Sequence, residues 1–162
     1  GILGFGAAAT PTNDMLLYQD QKASGTIGDA YAAGAWRTLT INTEVIDTAG
    51  IGSVASNQVT LAAGSYEVDA ATVIQGDGAA GVRARIRLQN TTDAATTLQG
   101  TNVGDSTTTS GRLAGLTGSF VISASKTFEV QVYPSGTPVQ GQAASTGGVE
   151  VYTTIRFRRY AT

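Results

Sequence analysis

Three arginines that alternate along one short stretch form the clearest chemical pattern in the chain. Arg83, Arg85 and Arg87 are each separated by one apolar residue, so in an extended segment their guanidinium groups point to the same side. Such a row can bind an anionic group through paired N–H donors. It can also pair with carboxylates on a neighbouring strand or on another subunit.

Two carboxylates precede this row. Glu67 and Asp69 lie two residues apart, so they share one face of an extended segment. Two carboxylates on one face could act as the acid–base pair of glycoside hydrolysis. In a hairpin they would face Arg83, Arg85 and Arg87, and each such pair would contribute about 0.2–1 kcal/mol. The arginines would also keep both carboxylates ionised, which is wrong for a general acid. The sequence therefore predicts charge pairing across the hairpin rather than catalysis.

Two aspartates stand beside glycines and are the candidates for a metal site. Asp77 lies between Gly76 and Gly78, and Asp105 follows Gly104. Neither has a second carboxylate at the spacing of a calcium loop, and turn chemistry accounts for both. The glycines of segment 76–81 stand between two predicted strands, with no helix start that could hold a phosphate. We therefore predict no bound metal.

The composition excludes most catalytic machinery. The 162 residues contain no Cys and no His, which excludes a disulfide framework, thiolate metal sites and a Ser-His-Asp triad. Charged residues make up 14% of the chain and the formal net charge is -2, which disfavours nucleic-acid binding. We therefore expect no enzyme activity, no cofactor and no nucleic-acid partner.

The C-terminal arginines and the aromatic residues allow two interpretations each. Arg156, Arg158 and Arg159 are either solvent-exposed or paired with Glu150, or they contact an acidic partner surface. Five aromatic residues are predicted to lie in the core or at a subunit interface, and two others are candidates for a recognition surface. The first group is Trp36, Tyr66, Phe120, Phe128 and Phe157, and the second is Tyr133 and Tyr152.

Alternation of apolar and polar residues recurs along the chain, and it is broken by Gly, Asn, Asp, Ser or Pro. This pattern predicts eight to ten strands without helices, and hence an all-β antiparallel sandwich, most simply a jelly roll. Strands are predicted at 15–20, 58–61, 65–74, 82–90, 113–123, 126–132 and 149–158. In the last of these, Val149, Val151, Thr153, Ile155 and Phe157 are expected to face inward.

Two long polar segments, 91–111 and 134–148, are predicted as loops, with a short strand at 96–99 inside the first. Exposed loops on a rigid scaffold often carry binding residues. The candidate outer-loop contacts are Asn102, Asp105, Tyr133, Gln140 and Gln142.

The first residues are apolar, but the run of nine is far shorter than the about 20 residues of a membrane-spanning helix. No basic region precedes it, as a signal peptide would require. It is either an expression remnant or frayed end, or an arm that docks on a partner chain through Ile2, Leu3 and Phe5. We divide the chain into an anchoring arm, 1–13, and a jelly-roll domain, 14–162.

Two segments resemble the complement-type globular heads and the tumour-necrosis-factor-like jelly rolls. Segment 62–68, AAGSYEV, resembles their x-P-G-x-Y-x-V/F step, although Ala63 stands where those heads usually carry Pro. Segment 126–132, KTFEVQV, resembles their D/K-x-F/V-x-V-Q-V strand. The resemblance spans about residues 36–160.

A second resemblance is more specific. Segments 18–26, YQDQKASGT, and 35–43, AWRTLTINT, are similar to a recurrent opening of small structural and tail-fibre proteins of tailed bacteriophages. Together the resemblances imply a homotrimeric jelly roll on a virion surface, without enzymatic activity. Absence of Cys suits assembly in a reducing bacterial cytoplasm.

The resulting hypothesis is a phage tail or head fibre, or an adhesin-type head. It would be attached to other virion proteins through its N-terminal arm and would contact a glycan or protein of the host surface, without membrane insertion. The alternative is a capsid decoration protein that braces the shell. A free carbohydrate-binding module is the third possibility.

Overall fold

The computed structural model describes residues 13–76, 81–105 and 111–160, and this part of the chain contains eleven β-strands and no helix. Consequently no described segment is a helix that could span a membrane. The predicted arm residues Ile2, Leu3 and Phe5, and also Asp77, lie outside the described residues. The strands are β1 Asp14–Lys22, β2 Arg37–Thr38, β3 Thr43–Asp47, β4 Gly52–Ala55, β5 Gln58–Leu61, β6 Gly64–Ile74, β7 Val82–Asn90, β8 Ala95–Asp105, β9 Arg112–Ile122, β10 Lys126–Pro134 and β11 Glu150–Tyr160.

The strands form two antiparallel sheets that pack face to face. Sheet I has the order β3-β1-β11-β6-β9, and sheet II has the order β4-β5-β10-β7-β8, with β2 paired to β10 at its side. From β5 onward the chain crosses repeatedly from one sheet to the other, as it does in a jelly roll. The predicted all-β antiparallel sandwich is confirmed.

An aromatic cluster occupies the core between the sheets. The ring of Phe120 lies 5.6 Å from that of Tyr66, 5.2 Å from that of Phe128 and 6.3 Å from that of Phe157. Edge-to-face and offset contacts of this kind stabilise beyond the area that they bury. The Tyr66 hydroxyl donates to the carbonyl oxygen of Ala62 at 2.8 Å, which satisfies its one polar atom. Tyr66, Phe128 and Phe157 are buried in the core, as predicted, and Phe120 is half-buried and packs against them.

β6 and β7 are consecutive in the chain but do not form a hairpin. β6 lies in sheet I between β11 and β9, whereas β7 lies in sheet II between β10 and β8. The predicted pairing of Glu67 and Asp69 with Arg83, Arg85 and Arg87 is therefore wrong, since the two groups lie on opposite outer faces of the sandwich.

A β-bulge changes the orientation of side chains along β11. Asp20 of β1 pairs with Thr153 and Gln21 pairs with Val151, so that Tyr152 is the extra residue. A bulge of this kind shifts the alternation by one residue. Thr153, Ile155 and Phe157 face inward as predicted. The inward prediction is wrong for Val149 and Val151, which are 61% and 41% exposed, because Glu150 and Tyr152 are buried in their place.

Candidate binding surfaces

The outer face of sheet II carries the arginine row. Arg85 lies between Asn102 of β8 and Tyr133 of β10 in the strand register, and Arg83 lies beside Gly104. These residues and Ser135 line an open groove of about 580 Å³, together with Ala84 and Val103. We call this the arginine groove. Two of the predicted outer-loop contacts, Asn102 and Tyr133, thus meet two residues of the predicted arginine row.

Trp36 holds one wall of the arginine groove. Its indole contacts the ring of Tyr133 edge to face, with 5.5 Å between the ring centroids. The guanidinium of Arg87 lies 4.1 Å from the indole centroid and that of Arg85 lies 5.5 Å from it, and both distances are within cation–π range. The Tyr133 hydroxyl donates to the carbonyl oxygen of Gly34 at 3.0 Å. The aromatic pair therefore fixes the directions of Arg85 and Tyr133.

The three arginines of the row differ in their partners. Arg87 donates to the Gln131 side chain at 2.9 Å and to Thr96 Oγ1 at 2.8 Å, and it is half-buried. Burial, and then the positive charge of Arg85, lower the pKa of Arg87. Arg83 and Arg85 are exposed, and neither forms an ion pair with a carboxylate within the described part of the chain.

The carboxylate of Glu129 lies on the same outer face, close to Arg87. It accepts hydrogen bonds from Thr38 at 2.8 Å, Gln58 at 2.8 Å and Gln131 at 2.6 Å. Burial acts to raise the pKa of Glu129, but these three hydrogen bonds and the charge of Arg87 bring the pKa below its ordinary value. Glu129 therefore stays ionised and is occupied by its own neighbours, and the positive charge of the groove lies at Arg83 and Arg85.

The outer face of sheet I has the opposite character. Its charges are paired within the face: Arg156 lies 3.0 Å from Asp69, and Arg158 lies 3.3 Å from Glu67. A third pair, Arg159 with Asp14 at 2.6 Å, lies at the end of the same strands. These contacts exclude the predicted alternative in which the C-terminal arginines pair with Glu150.

Apolar side chains surround these ion pairs. Met15, Leu17 and Ala71 line a shallow cavity of about 270 Å³ between β1, β11 and β6. Leu113 and Val121 of β9 are 66% and 73% exposed and have the same orientation, since the inward residues of this strand are the even-numbered ones. We call this surface, defined by these five residues and the pairs Arg156–Asp69 and Arg158–Glu67, the sheet I face.

The remaining predicted loop contacts have different surroundings. Gln140 is fully buried, and its amide nitrogen donates to Thr72 at 3.0 Å and to Thr153 at 2.7 Å. The prediction that Gln140 contacts a ligand at the surface is therefore wrong, because its polarity is used inside the sandwich. Gln142 is exposed. Asp105 ends β8, and its side chain lies outside what the structure describes.

Segments 18–26 and 35–43, which resemble the opening of phage structural proteins, meet at one end of the sandwich. Lys22 lies 3.4 Å from Asp20 and 3.0 Å from Asp29, and Asn42 donates to Asp20 at 3.3 Å. Asp20 is fully buried, and its Oδ2 has no hydrogen-bond partner among the described residues. Burial raises the pKa of Asp20 against the lowering effect of Lys22. These residues support the fold rather than form an open site.

Glu150 closes the same end. Its carboxylate accepts backbone N–H groups from Gly25 at 3.0 Å, Ala144 at 2.9 Å and Ser145 at 2.8 Å. These three hydrogen bonds lower the pKa of Glu150. Across the described residues, no group of three or more His, Cys, Asp or Glu is placed to hold a metal ion.

Sequence reasoning missed the contribution of Trp36, Gly104 and Ser135 to the arginine groove. Trp36 was predicted to lie in the core or at a subunit interface, and it is half-buried at the surface of sheet II. The contact between Trp36 and Arg87 joins residues far apart in the chain, so no local pattern indicates it. Gly104 and Ser135 lie within the predicted polar loops, and only the strand register places them beside Arg83.

The comparisons with known proteins identify the fold. The chain matches no protein-family model and no curated protein. Among solved structures it is similar to murine APRIL in crystals at pH 8.5, 8.0 and 5.0, with TM-scores of 0.56, 0.56 and 0.58 and sequence identities of 9%, 10% and 9%. Each match covers 91% of this chain and 99% of the APRIL chain. The similarity shows a jelly roll of the tumour-necrosis-factor type.

Proposed function

We propose that this chain is a non-enzymatic, homotrimeric structural protein of a bacteriophage particle, a tail or head fibre or adhesin-type head. Residues 1–13 attach it to other virion proteins, and the jelly roll contacts the host surface. The observation that carries the proposal is the sheet I face, which presents exposed apolar side chains around ion pairs that need no further partner.

Burial of the sheet I face against copies of the chain is energetically favourable. Removing apolar surface from water contributes about 25 cal/mol per Å², and Leu113 and Val121 are the two most exposed large apolar side chains described. Burial of a charge is costly unless the charge is paired. The contacts of Arg156 with Asp69 and of Arg158 with Glu67 meet that condition before assembly.

The phage assignment is supported by the segments 18–26 and 35–43. The first segment supplies Asp20 and Lys22, and the second supplies Asn42, and these three side chains meet at one end of the sandwich. The two parts of the resemblance therefore belong to one structural unit. The location that follows is the virion, with assembly in the bacterial cytoplasm.

Deletion of residues 1–9 tests the attachment. We expect the shortened chain to fold, because the first described strand begins at Asp14, and to be missing from purified particles. Normal incorporation would reject the arm as the anchor. The matched control is the full-length chain supplied from the same plasmid.

The alternative, a capsid decoration protein, predicts a different result in experiments with the same protein and particles. An attachment protein, added to host cells in free form, protects them from infection. A decoration protein instead changes the heat or osmotic resistance of the shell when it is removed. Protection without any change in shell resistance supports the proposed function, and the reverse result supports the alternative.

A further inference from the structure

We propose that the arginine groove binds an anionic saccharide, a pyranose unit that carries a carboxylate. The role of this binding in host attachment rests on the proposed function. The binding itself is a property of the purified chain, so the two can fail separately. The groove volume of about 580 Å³ lies within the range of about 300–1,000 Å³ that small-molecule sites occupy.

Among the described residues, the positive charge of the arginine groove has no carboxylate partner, and this favours an anionic ligand. Arg83 and Arg85 are exposed on neighbouring positions of one face, and no described carboxylate lies within ion-pair distance of either. Glu129, on the same face, is held by three hydrogen bonds from its own neighbours. A guanidinium binds a carboxylate through two parallel N–H donors, so either arginine can fix the charged group of such a sugar.

The groove also offers what the uncharged part of a sugar needs. Tyr133 is 38% exposed, and Trp36 and the carbonyl of Gly34 hold its ring in place. A rigid aromatic face of this kind packs against the apolar C–H face of a pyranose at a low cost in side-chain entropy. Asn102 lies directly across from Arg85, and its amide both donates and accepts hydrogen bonds.

Ser135 adds a donor of defined direction. Its Oγ accepts the backbone N–H of Arg83 at 2.9 Å, which places the hydroxyl at the edge of the groove and leaves its proton available to a ligand. The aromatic ring, the amide, the hydroxyl and the two guanidinium groups thus converge on one concave surface, and this combination fits an acidic sugar better than a bare inorganic anion.

Gly104 keeps the groove open. A Cβ at this position meets only the Cγ of Arg83, at 3.7 Å, and the residue has no positive φ. A larger side chain is therefore tolerated by the backbone and projects into the space between Arg83 and Asn102. Gly104→Thr provides a variant that blocks the groove without removing a charge.

The test is isothermal titration of the full chain with trigalacturonic acid at low salt, beside maltotriose and inorganic phosphate. We expect binding of trigalacturonic acid that weakens as salt is added, and none of maltotriose. Arg85→Gln and Gly104→Thr should each weaken binding at least tenfold. Arg112→Gln removes one positive charge from sheet I and should leave the affinity unchanged.

Thermal unfolding of each variant separates loss of the site from loss of the fold. Absence of trigalacturonic acid binding by the folded wild-type chain would overturn the inference. Equal weakening by Arg85→Gln and Arg112→Gln would also overturn it, since it would show attraction by net charge alone. Binding of inorganic phosphate as tight as that of the saccharide would also overturn the inference, because it would show that the ring of Tyr133 does not contribute to binding.

Discussion

Individual carboxylates hold the turns and the ends of this sandwich. Asp47 is the clearest case: its carboxylate accepts the N–H groups of Ala49 at 3.2 Å, Ile51 at 3.2 Å and Gly52 at 2.9 Å. Burial acts to raise the pKa of Asp47, but the hydrogen bonds from the turn bring it below its ordinary value. The side chain therefore fixes the connection between β3 and β4, and through it the junction of the two sheets.

Replacement of Asp47 by Ala removes three hydrogen bonds to an ionised group. A hydrogen bond to a charged group contributes about 1.5–3 kcal/mol, but the N–H groups of Ala49, Ile51 and Gly52 belong to residues that are not buried and can bind water in the variant. We therefore expect the free energy of unfolding at pH 7 to fall by about 2 kcal/mol in total. Urea titration measures it. Glu44→Ala, an exposed position on the same strand, is the matched control and should stay within about 0.5 kcal/mol of wild type. Equal effects of the two substitutions would contradict the role of Asp47.

Asp20 should make stability depend on pH in the opposite sense. Its pKa is raised in the folded state by burial, so the folded chain holds this proton at a pH where the unfolded chain has already lost it. The contribution of Asp20 to the free energy of unfolding is therefore most favourable below its unfolded pKa of about 3.9, and it is lost as the pH rises through its folded pKa. Asn has no proton to lose, so Asp20→Asn should remove this pH-dependent loss. The free energy of unfolding of the variant should therefore rise relative to that of wild type between pH 4 and neutrality.

Urea titrations of wild type and Asp20→Asn at several pH values decide the point. The difference in the free energy of unfolding between them should grow with pH. A difference that stays constant with pH would show that the folded environment does not perturb Asp20.

The candidate site was predictable only in part. The outward direction of Arg83, Arg85 and Arg87 followed from their alternation with buried residues, and the structure confirms that direction. The partners of these residues did not follow, because Tyr133 and Trp36 reach the row through strand pairing across more than forty residues. Side-chain direction is a local property of a strand, whereas the identity of the neighbour depends on topology.

At the level of elements, single strands were more predictable than their pairing. β5 was predicted with the bounds that it has, 58–61, and β7 with its full alternation of buried and exposed residues. β4 was not predicted, and β8 spans 11 of the 21 residues of segment 91–111, in which only a short strand at 96–99 was predicted. Thr and Gly make up five of the eleven residues of β8, and such residues carry little apolar periodicity to indicate a strand.

The errors of pairing have a common cause. A short connection between two alternating segments usually indicates a hairpin, yet β6 and β7 cross between the sheets. The bulge at Tyr152 likewise leaves no local mark, since it depends on how β1 pairs with β11. Topology and bulges are settled by the packing of the whole sandwich.

Gly100 of β8 supports the close approach of the sheets at their edge. A Cβ at this position meets the carbonyl oxygen of Gly115 at 2.5 Å and the side chain of Ile86 at 2.9 Å. Gly100→Ala must push β8 away from β9, and overpacking of this kind costs about 1–3 kcal/mol. Gly104→Ala on the same strand meets only an ordinary contact at 3.7 Å and is the control. Similar midpoints of thermal unfolding for the two variants would contradict the assignment.

At the scale of the whole molecule, the two outer faces of the sandwich differ in their surface chemistry. The sheet I face has paired charges and exposed apolar side chains, which suits contact with copies of the chain. On the outer face of sheet II, Arg83 and Arg85 have no carboxylate partner among the described residues and lie beside an aromatic wall, which suits a ligand. The composition does not indicate this difference between the faces, because net charge and apolar fraction are averages over both of them.

Substitution on the sheet I face should break the assembly without unfolding the chain. Leu113→Asp places an unpaired charge where Leu113 is 66% exposed, so a single folded chain tolerates it and a subunit interface does not. Ile27→Asp introduces the same change at a loop position that is 54% exposed. We expect a smaller particle in solution for Leu113→Asp alone, with unchanged thermal unfolding of its monomer. A normal assembly for Leu113→Asp would exclude this face.

The central claim is that the chain acts as a trimer. The most direct test is multi-angle light scattering of the purified full-length chain at micromolar concentration. The predicted result is a single species with three times the 16.5 kDa mass of one chain. A stable species of 16.5 kDa under the same conditions would contradict the account.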